Sequence, residues 1–164
     1  MLQRILVPLD GSELAEQALP YATTLAQKFD GELILLRALQ AYQIVPLPEF
    51  GVVPYEYDEI VEQAEGQARA YLEEVQEKLR EEDVRTRVAI LKSQSVAEAI
   101  VDFAGQEEVD LIVKTTHGRS GLSRWVFGSV AIRVLEQAPC PVFLIRVTEG
   151  NRSSPAAGAP AQLL

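Results

Sequence analysis

Along the chain, short apolar runs alternate with longer stretches in which apolar residues return every three or four positions. Residues 4–9 (RILVPL) make the first run and Asp10 with Gly11 ends it, which predicts a strand leading into a turn. A helix is expected directly afterwards, with Ser12 as its N-cap, Ala15, Ala18, Ala22, Leu25 and Phe29 on its apolar face, and a kink at Pro20. Residues 32–39 (ELILLRAL) form a second, nearly continuous apolar strand, followed by a long segment carrying Pro46, Pro48 and Pro54. From about residue 58 to 82 a helix is predicted, its stripe being Ile60, Val61, Ala64, Ala68, Leu72, Val75 and Leu79, with a glutamate-rich opposite face.

Residues 84–91 set Val84, Thr86, Val88 and Ile90 against Arg85, Arg87 and Ala89, the alternation of a strand wet on one face and near a sheet edge. Ser95 and Glu98 are spaced as a capping box for a helix that buries Ala97, Ile100, Val101 and Ala104. A fourth strand is expected over 110–116, a glycine-containing loop over 117–124, a helix over about 125–137 and a fifth strand over 141–147. Beyond Thr148 the chain is rich in Ser, Pro, Gly and Ala, the composition of a disordered tail.

Strands and helices alternating throughout imply an α/β fold, a single doubly wound domain over residues 1–147 followed by the tail at 148–164. The expected sheet is five-stranded and mainly parallel, of order 3-2-1-4-5, with helices on both faces. Ligands of such sheets bind outside the carboxyl ends of strands where the order reverses. That reversal falls between the first and fourth strands, so Asp10 and the loop after Thr115 should face each other across one crevice.

Composition narrows the function. With 15 Lys and Arg against 24 Asp and Glu among 164 residues, the net charge is −9, an unfavourable balance for general phosphate-backbone contact, and no nucleic-acid partner is expected. The apolar run after Arg4 is too short for a signal sequence, and no stretch of about 18 apolar residues suggests a membrane span. Cys140 is the sole cysteine and His117 the sole histidine, which excludes an intrachain disulfide and the usual thiolate and imidazole zinc site. A reducing, cytoplasmic setting fits, with Cys140 as a small buried hydrophobe rather than a nucleophile.

Residues 111–135 contain no Asp or Glu but carry Lys114, Arg119, Arg124 and Arg133, a cationic island in an acidic chain. Gly118, Gly121 and Gly128 lie in the same segment, and Ser129 precedes a helical stretch. Glycines let backbone N–H groups approach a phosphate, and a helix N-terminus adds unpaired donors and partial positive charge. No G-x-x-x-x-G-K-[ST] occurs, and no G-x-G-x-x-G follows the first strand, so P-loop and Rossmann dinucleotide readings lack their main support.

The opening ILVPLDGS and the closing THGRSGLSRWVFGSVAIRVLEQAPCPVFLIR together resemble the universal stress protein family, over residues 1 to about 147. The ATP-binding branch carries G-x-x-G, nine residues, then G followed by Ser or Thr. In this chain Gly118, residues 119–127, Gly128 and Ser129 match that pattern, while Thr115 stands at the first glycine position. The resemblance implies that Pro8, Leu9, Asp10 and Ala38 line the adenosine end. It implies further that Thr115, Thr116, His117, Gly118, Arg119 and Ser120 wrap ribose and phosphates, and that Gly128, Ser129 and Val130 close on the phosphates. The implied cofactor is ATP, with Mg2+ or Mn2+ as the accompanying ion, and the implied assembly is a homodimer paired through the strand at 141–147. That strand would lie at a sheet edge, a liability unless covered.

Two further departures stand out. Ser93, Gln94 and Ser95 replace Gly, an acidic residue and Pro before the fourth helix, and Lys114 replaces an apolar residue near the end of the fourth strand. A lysine there needs a partner, either a phosphate or Asp10, or else it reaches out to solvent. His117 suggests a triad with Ser129 or Ser120 and Asp10, but nothing in the sequence sets nucleophile, base and acid within reach, so an ordering role in the loop is expected. Trp125 and Phe127 read as core or interface anchors. Residues 40–57 are long and apolar for a connector, the character of a lid or partner surface, against simple packing of Tyr42, Phe50 and Tyr55. Three functions stay open: a dimeric ATP-binding module read by an unidentified protein partner, a slow ATPase or phosphoryl-transfer enzyme with Asp10 as the available metal-holding carboxylate, and a partner-binding dimer without nucleotide.

Overall fold

Strands covered on both faces need apolar side chains on both, and the central strands have them. The computed structural model describes residues 2–40, 56–116 and 128–146. Its strands are β1 (Arg4–Pro8), β2 (Glu32–Gln40), β3 (Arg85–Ser93), β4 (Leu111–Thr115) and β5 (Val142–Ile145). The helices are α1 (Glu13–Glu16), α2 (Leu19–Phe29), α3 (Glu56–Arg80), α4 (Val96–Gln106) and α5 (Ser129–Gln137). The sheet runs β3-β2-β1-β4-β5 with every pairing parallel, the order expected, and the reversal lies between β1 and β4.

Side-chain alternation divides the core into two layers. Ile5, Val7, Leu33, Leu35 and Val113 pack with Ala15, Ala22, Ala26, Leu72 and Val75, joining one sheet face to α1, α2 and α3. Leu6, Ile34, Leu36 and Ile112 pack with Ile100, Phe103, Ala104 and Val134, joining the other face to α4 and α5. Ile5, Leu6, Ile34, Leu72 and Ile100 are among the largest fully buried side chains, each worth roughly 1.5–3 kcal/mol relative to exposure.

The structure corrects several local expectations. Instead of one kinked helix, α1 and α2 are separate, and Pro20 sits in the first turn of α2, where its missing N–H costs nothing. Ser12 caps α1 as expected, accepting from the Ala15 amide at 3.1 Å. Phe29, expected on the buried face, is an exposed hydrophobic residue, and Ala26 takes its place in the core. On α3 the buried stripe is Ala68, Leu72, Val75 and Leu79, whereas Ala64 is exposed. The second face of β3 is not simply wet: Ala89 and Leu91 pack on the α4 layer, and the Arg87 guanidinium lies over the Phe103 ring at 6.0 Å.

The capping box is half formed. Ser95 Oγ accepts from the Glu98 amide at 3.4 Å, but the Ser95 amide donates to Ser93 Oγ at 3.2 Å, and Glu98 pairs with Arg133 of α5 at 3.6 Å. Cys140 is half-buried beside the α4 layer, and burial raises its thiol pKa, as befits a small hydrophobe. α5 starts at Ser129, and Trp125 and Phe127 lie outside the described residues, as do Tyr42, Phe50 and Tyr55 and the tail at 148–164. Among the described residues no helix is long and apolar enough to cross a membrane.

Candidate functional site

The turn after β1 forms the first wall of the expected crevice. The Leu9 amide donates to the Leu36 carbonyl at 2.8 Å, carrying the β1–β2 ladder one residue past Pro8. The chain then turns at Gly11, whose φ of +77° is a conformation glycine adopts without steric cost. Asp10 Oδ1 accepts from the Ser12 amide at 3.0 Å and from Ser12 Oγ at 2.5 Å, so its carboxylate is held against the turn at the start of α1. Ala38 lies two residues beyond Leu36, the partner of Pro8, and so stands on the rim of β2 beyond the end of β1.

The second wall is the end of β4. Lys114 Nζ donates to the Thr115 carbonyl at 2.8 Å. Burial pushes the ammonium pKa down from 10.5 to about 8, and the negative charge of Asp10 works against that fall. Lys114 and Asp10 therefore sense each other across the β1–β4 reversal, with the lysine neither simply in solvent nor bonded to a single carboxylate. Thr115 and Thr116 are both 3% exposed. The Thr116 amide donates to the Ile145 carbonyl at 3.0 Å, and its own carbonyl accepts from the Gly128 amide at 3.1 Å.

That last bond fixes the start of α5 against the strand end. Gly128 is the N-cap residue and supplies no side-chain cap, and the first turn contains no acidic residue. Its carbonyl accepts the Ile132 amide at 3.1 Å, opening a nine-residue helix. Ser129 is exposed, and Val130 is half-buried against the α4 layer. A helix start with a glycine at its N-cap and no acidic residue in its first turn suits an anion.

Of the residues expected in the site, Pro8, Leu9, Asp10 and Ala38 gather on the β1–β2 rim, and Lys114, Thr115, Thr116, Gly128, Ser129 and Val130 on the β4–α5 rim. His117, Gly118, Arg119 and Ser120 lie outside the described residues. Sequence reasoning missed a polar group behind the first wall. Arg37 Nη1 donates to the Leu9 carbonyl at 3.4 Å, and the Tyr71 hydroxyl donates to Glu16 Oε1 at 2.9 Å. Burial and the Glu16 hydrogen bond hold the Tyr71 pKa well above the usual phenol range. The available signal was the single charge inside the apolar run of β2.

Fold and strand-end geometry define a doubly wound α/β protein whose β1 and β4 carry polar residues at the topological switch point, while the cavity formed by the described residues lies at the other end of the sheet, lined by Ala26, Asp30, Glu82 and Arg85. The model of the universal stress protein family matches residues 1–146, and the chain belongs to that family. A universal stress protein of Methanocaldococcus jannaschii, MJ0531, is 32% identical over 146 residues, covering 89% of this chain and 83% of the relative. The solved structure of universal stress protein UspA from Lactobacillus plantarum superimposes with a TM-score of 0.75 at 27% identity, covering 88% of this chain and 98% of that one.

Two more distant structures share the fold and carry nucleotides. A universal stress protein in complex with cAMP has a TM-score of 0.64 at 19% identity, covering 90% of this chain and 98% of its own. The Archaeoglobus fulgidus universal stress protein in complex with dAMP has a TM-score of 0.59 at 22% identity, covering 88% and 98%.

Proposed function

We propose that this protein is an adenine-nucleotide-binding module, with ATP as its ligand, that works as a homodimer and reports its nucleotide state to protein partners in the cytoplasm. The observation that carries this reading is the placement of Asp10 and Lys114 at the adjoining ends of β1 and β4, on either side of the strand reversal and beside the glycine-started helix α5. Asp10 has acceptor oxygens for ribose or base, Ala38 leaves room for a flat ring, and Lys114 with the α5 amides meets the phosphates. The family pattern assigns residues 115–120 to ribose and phosphates, and Mg2+ or Mn2+ travels with the polyphosphate. The cAMP and dAMP complexes show adenine nucleotides held on this fold by other proteins.

The homodimer reading rests on β5. It is an edge strand in which Phe143 is 40% exposed, and an apolar edge is protected by pairing. A second reading, a partner-binding dimer without nucleotide, draws support from Thr115. A buried threonine stands at the first glycine position, and its carbonyl already holds the Lys114 ammonium.

The test is to denature freshly purified protein, identify the small molecules released, and titrate the emptied protein calorimetrically with ATP, ADP and AMP in the presence of Mg2+. Co-purified adenine nucleotide, or ATP binding abolished by Gly118→Val or Ser129→Val, is expected. No nucleotide and no binding heat would overturn the proposal in favour of the partner-binding dimer.

A further inference from the structure

A strand residue one step past its neighbour's last paired position can reach over that neighbour's end, and β2 has an arginine there. Leu36 pairs with Pro8, so Arg37 stands level with Leu9, where β1 becomes turn. Its Nη1 donates to the Leu9 carbonyl at 3.4 Å, and the same nitrogen lies 3.2 Å from where a Cβ on Gly11 would be. The guanidinium thus occupies the space beneath the turn that positions Asp10. Arg37 and Asp10 also act in opposite directions on one Tyr71 hydroxyl, the arginine lowering and the aspartate raising its pKa, so both charges fall within Coulombic reach of one point. That hydroxyl is tied to Glu16 on α1, which closes a polar frame behind the turn.

We propose that Arg37 is a positioning residue for the candidate nucleotide site: it braces the β1–α1 turn from behind and thereby sets the Asp10 carboxylate toward the ligand. This rests on the nucleotide reading above, because Arg37 lies behind the turn and acts through Asp10. A planar, permanently charged fork is suited to bracing a carbonyl while filling the space under a glycine. Gly11 answers two needs at once, since a side chain there would be strained at φ +77° and would crowd the guanidinium.

The test uses the full chain, first without nucleotide. In Arg37→Met, the Ser12 amide, which donates to Asp10 Oδ1, should exchange with solvent about tenfold faster than in wild type, the scale of a lost charge-assisted hydrogen bond. The Ile112 amide in the sheet core should keep its wild-type protection, which separates loss of the brace from general destabilisation. Arg37→Lys should restore part of the Ser12 protection, and Gly11→Ala should lose it as Arg37→Met does. Calorimetry then reads the consequence: ATP affinity falls about tenfold in Arg37→Met, and the double variant with Asp10→Asn binds no more weakly than Asp10→Asn alone. Unchanged Ser12 exchange in Arg37→Met overturns the brace, and additive losses in the double variant overturn its action through Asp10. Wild-type protein that binds no nucleotide overturns the functional reading instead, while the exchange data still decide the brace.

Discussion

Replacing Lys114 with methionine should make the protein more stable. Burial lowers the ammonium pKa from 10.5 to about 8, so folding near neutrality must hold a charge in a place that disfavours it. At 1.36 kcal/mol per unit, a fall of about 2.5 units corresponds to roughly 3 kcal/mol at pH 7. The sign follows from proton counting. Between the folded and unfolded values the unfolded chain binds more protons, so wild-type stability rises with pH across that window. The full penalty is present below pH 8 and is relieved as pH climbs toward 10.5.

Methionine matches the length of the lysine stem, cannot ionise, and gives up the 2.8 Å bond of a charged donor to the Thr115 carbonyl, a loss of about 1.5–3 kcal/mol. A net gain of up to roughly 1.5 kcal/mol at pH 7 follows, which raises the melting temperature by up to a few degrees for a chain of this size. Urea denaturation of both proteins at pH 7 and pH 9.5 provides the assay. The advantage of the variant should shrink by roughly 2 kcal/mol between those values, other titrating groups cancelling because the two chains share them. A variant less stable than wild type at pH 7, or an advantage independent of pH, would refute the assignment of Lys114 as a buried cation held at a cost. Under the proposed function, which sets the Lys114 charge against the phosphates, ATP titration of the same variant should show weaker binding.

Two further outcomes probe the scaffold. A Cβ at Gly31 would lie 2.6 Å from the Leu2 carbonyl, a backbone atom that cannot swing aside, so Gly31→Ala should cost about 1–3 kcal/mol by chemical denaturation; an effect near zero would show that the β2 entry is not tightly packed. Asp110 accepts from the Gln3 and Arg4 amides at 2.8 and 2.9 Å, and those two bonds hold its carboxyl below the ordinary value of 3.8. Its contribution is present above that value and disappears as pH falls through the lower folded one, so Asp110→Asn should be less stable at pH 7 and the gap should close in acid. A gap that persists unchanged in acid would show that the carboxylate charge is not what holds the N-terminal strand.

The order of elements and the parallel α/β class were legible in the chain itself because they depend on local periodicity. A run such as ELILLRAL is apolar on both faces whatever surrounds it, and one constrained connection rule then arranges five such runs. The caps at Ser12 and Ser95 were likewise visible, since a side chain and an amide three residues on belong to one turn. Other features depend on which distant segments meet. Arg37 braces Leu9 from 28 residues away, a contact set by the β1–β2 register. Glu98 leaves its capping partner for Arg133 because α4 and α5 lie side by side. Lys114 finds the neighbouring carbonyl at a strand end beside the reversal, and Phe29 stays in solvent because Ala26 faces the core in its place. Apolar patterning is averaged over many positions and survives local exceptions, whereas the partner of one charge is chosen by a single register and a fraction of an ångström.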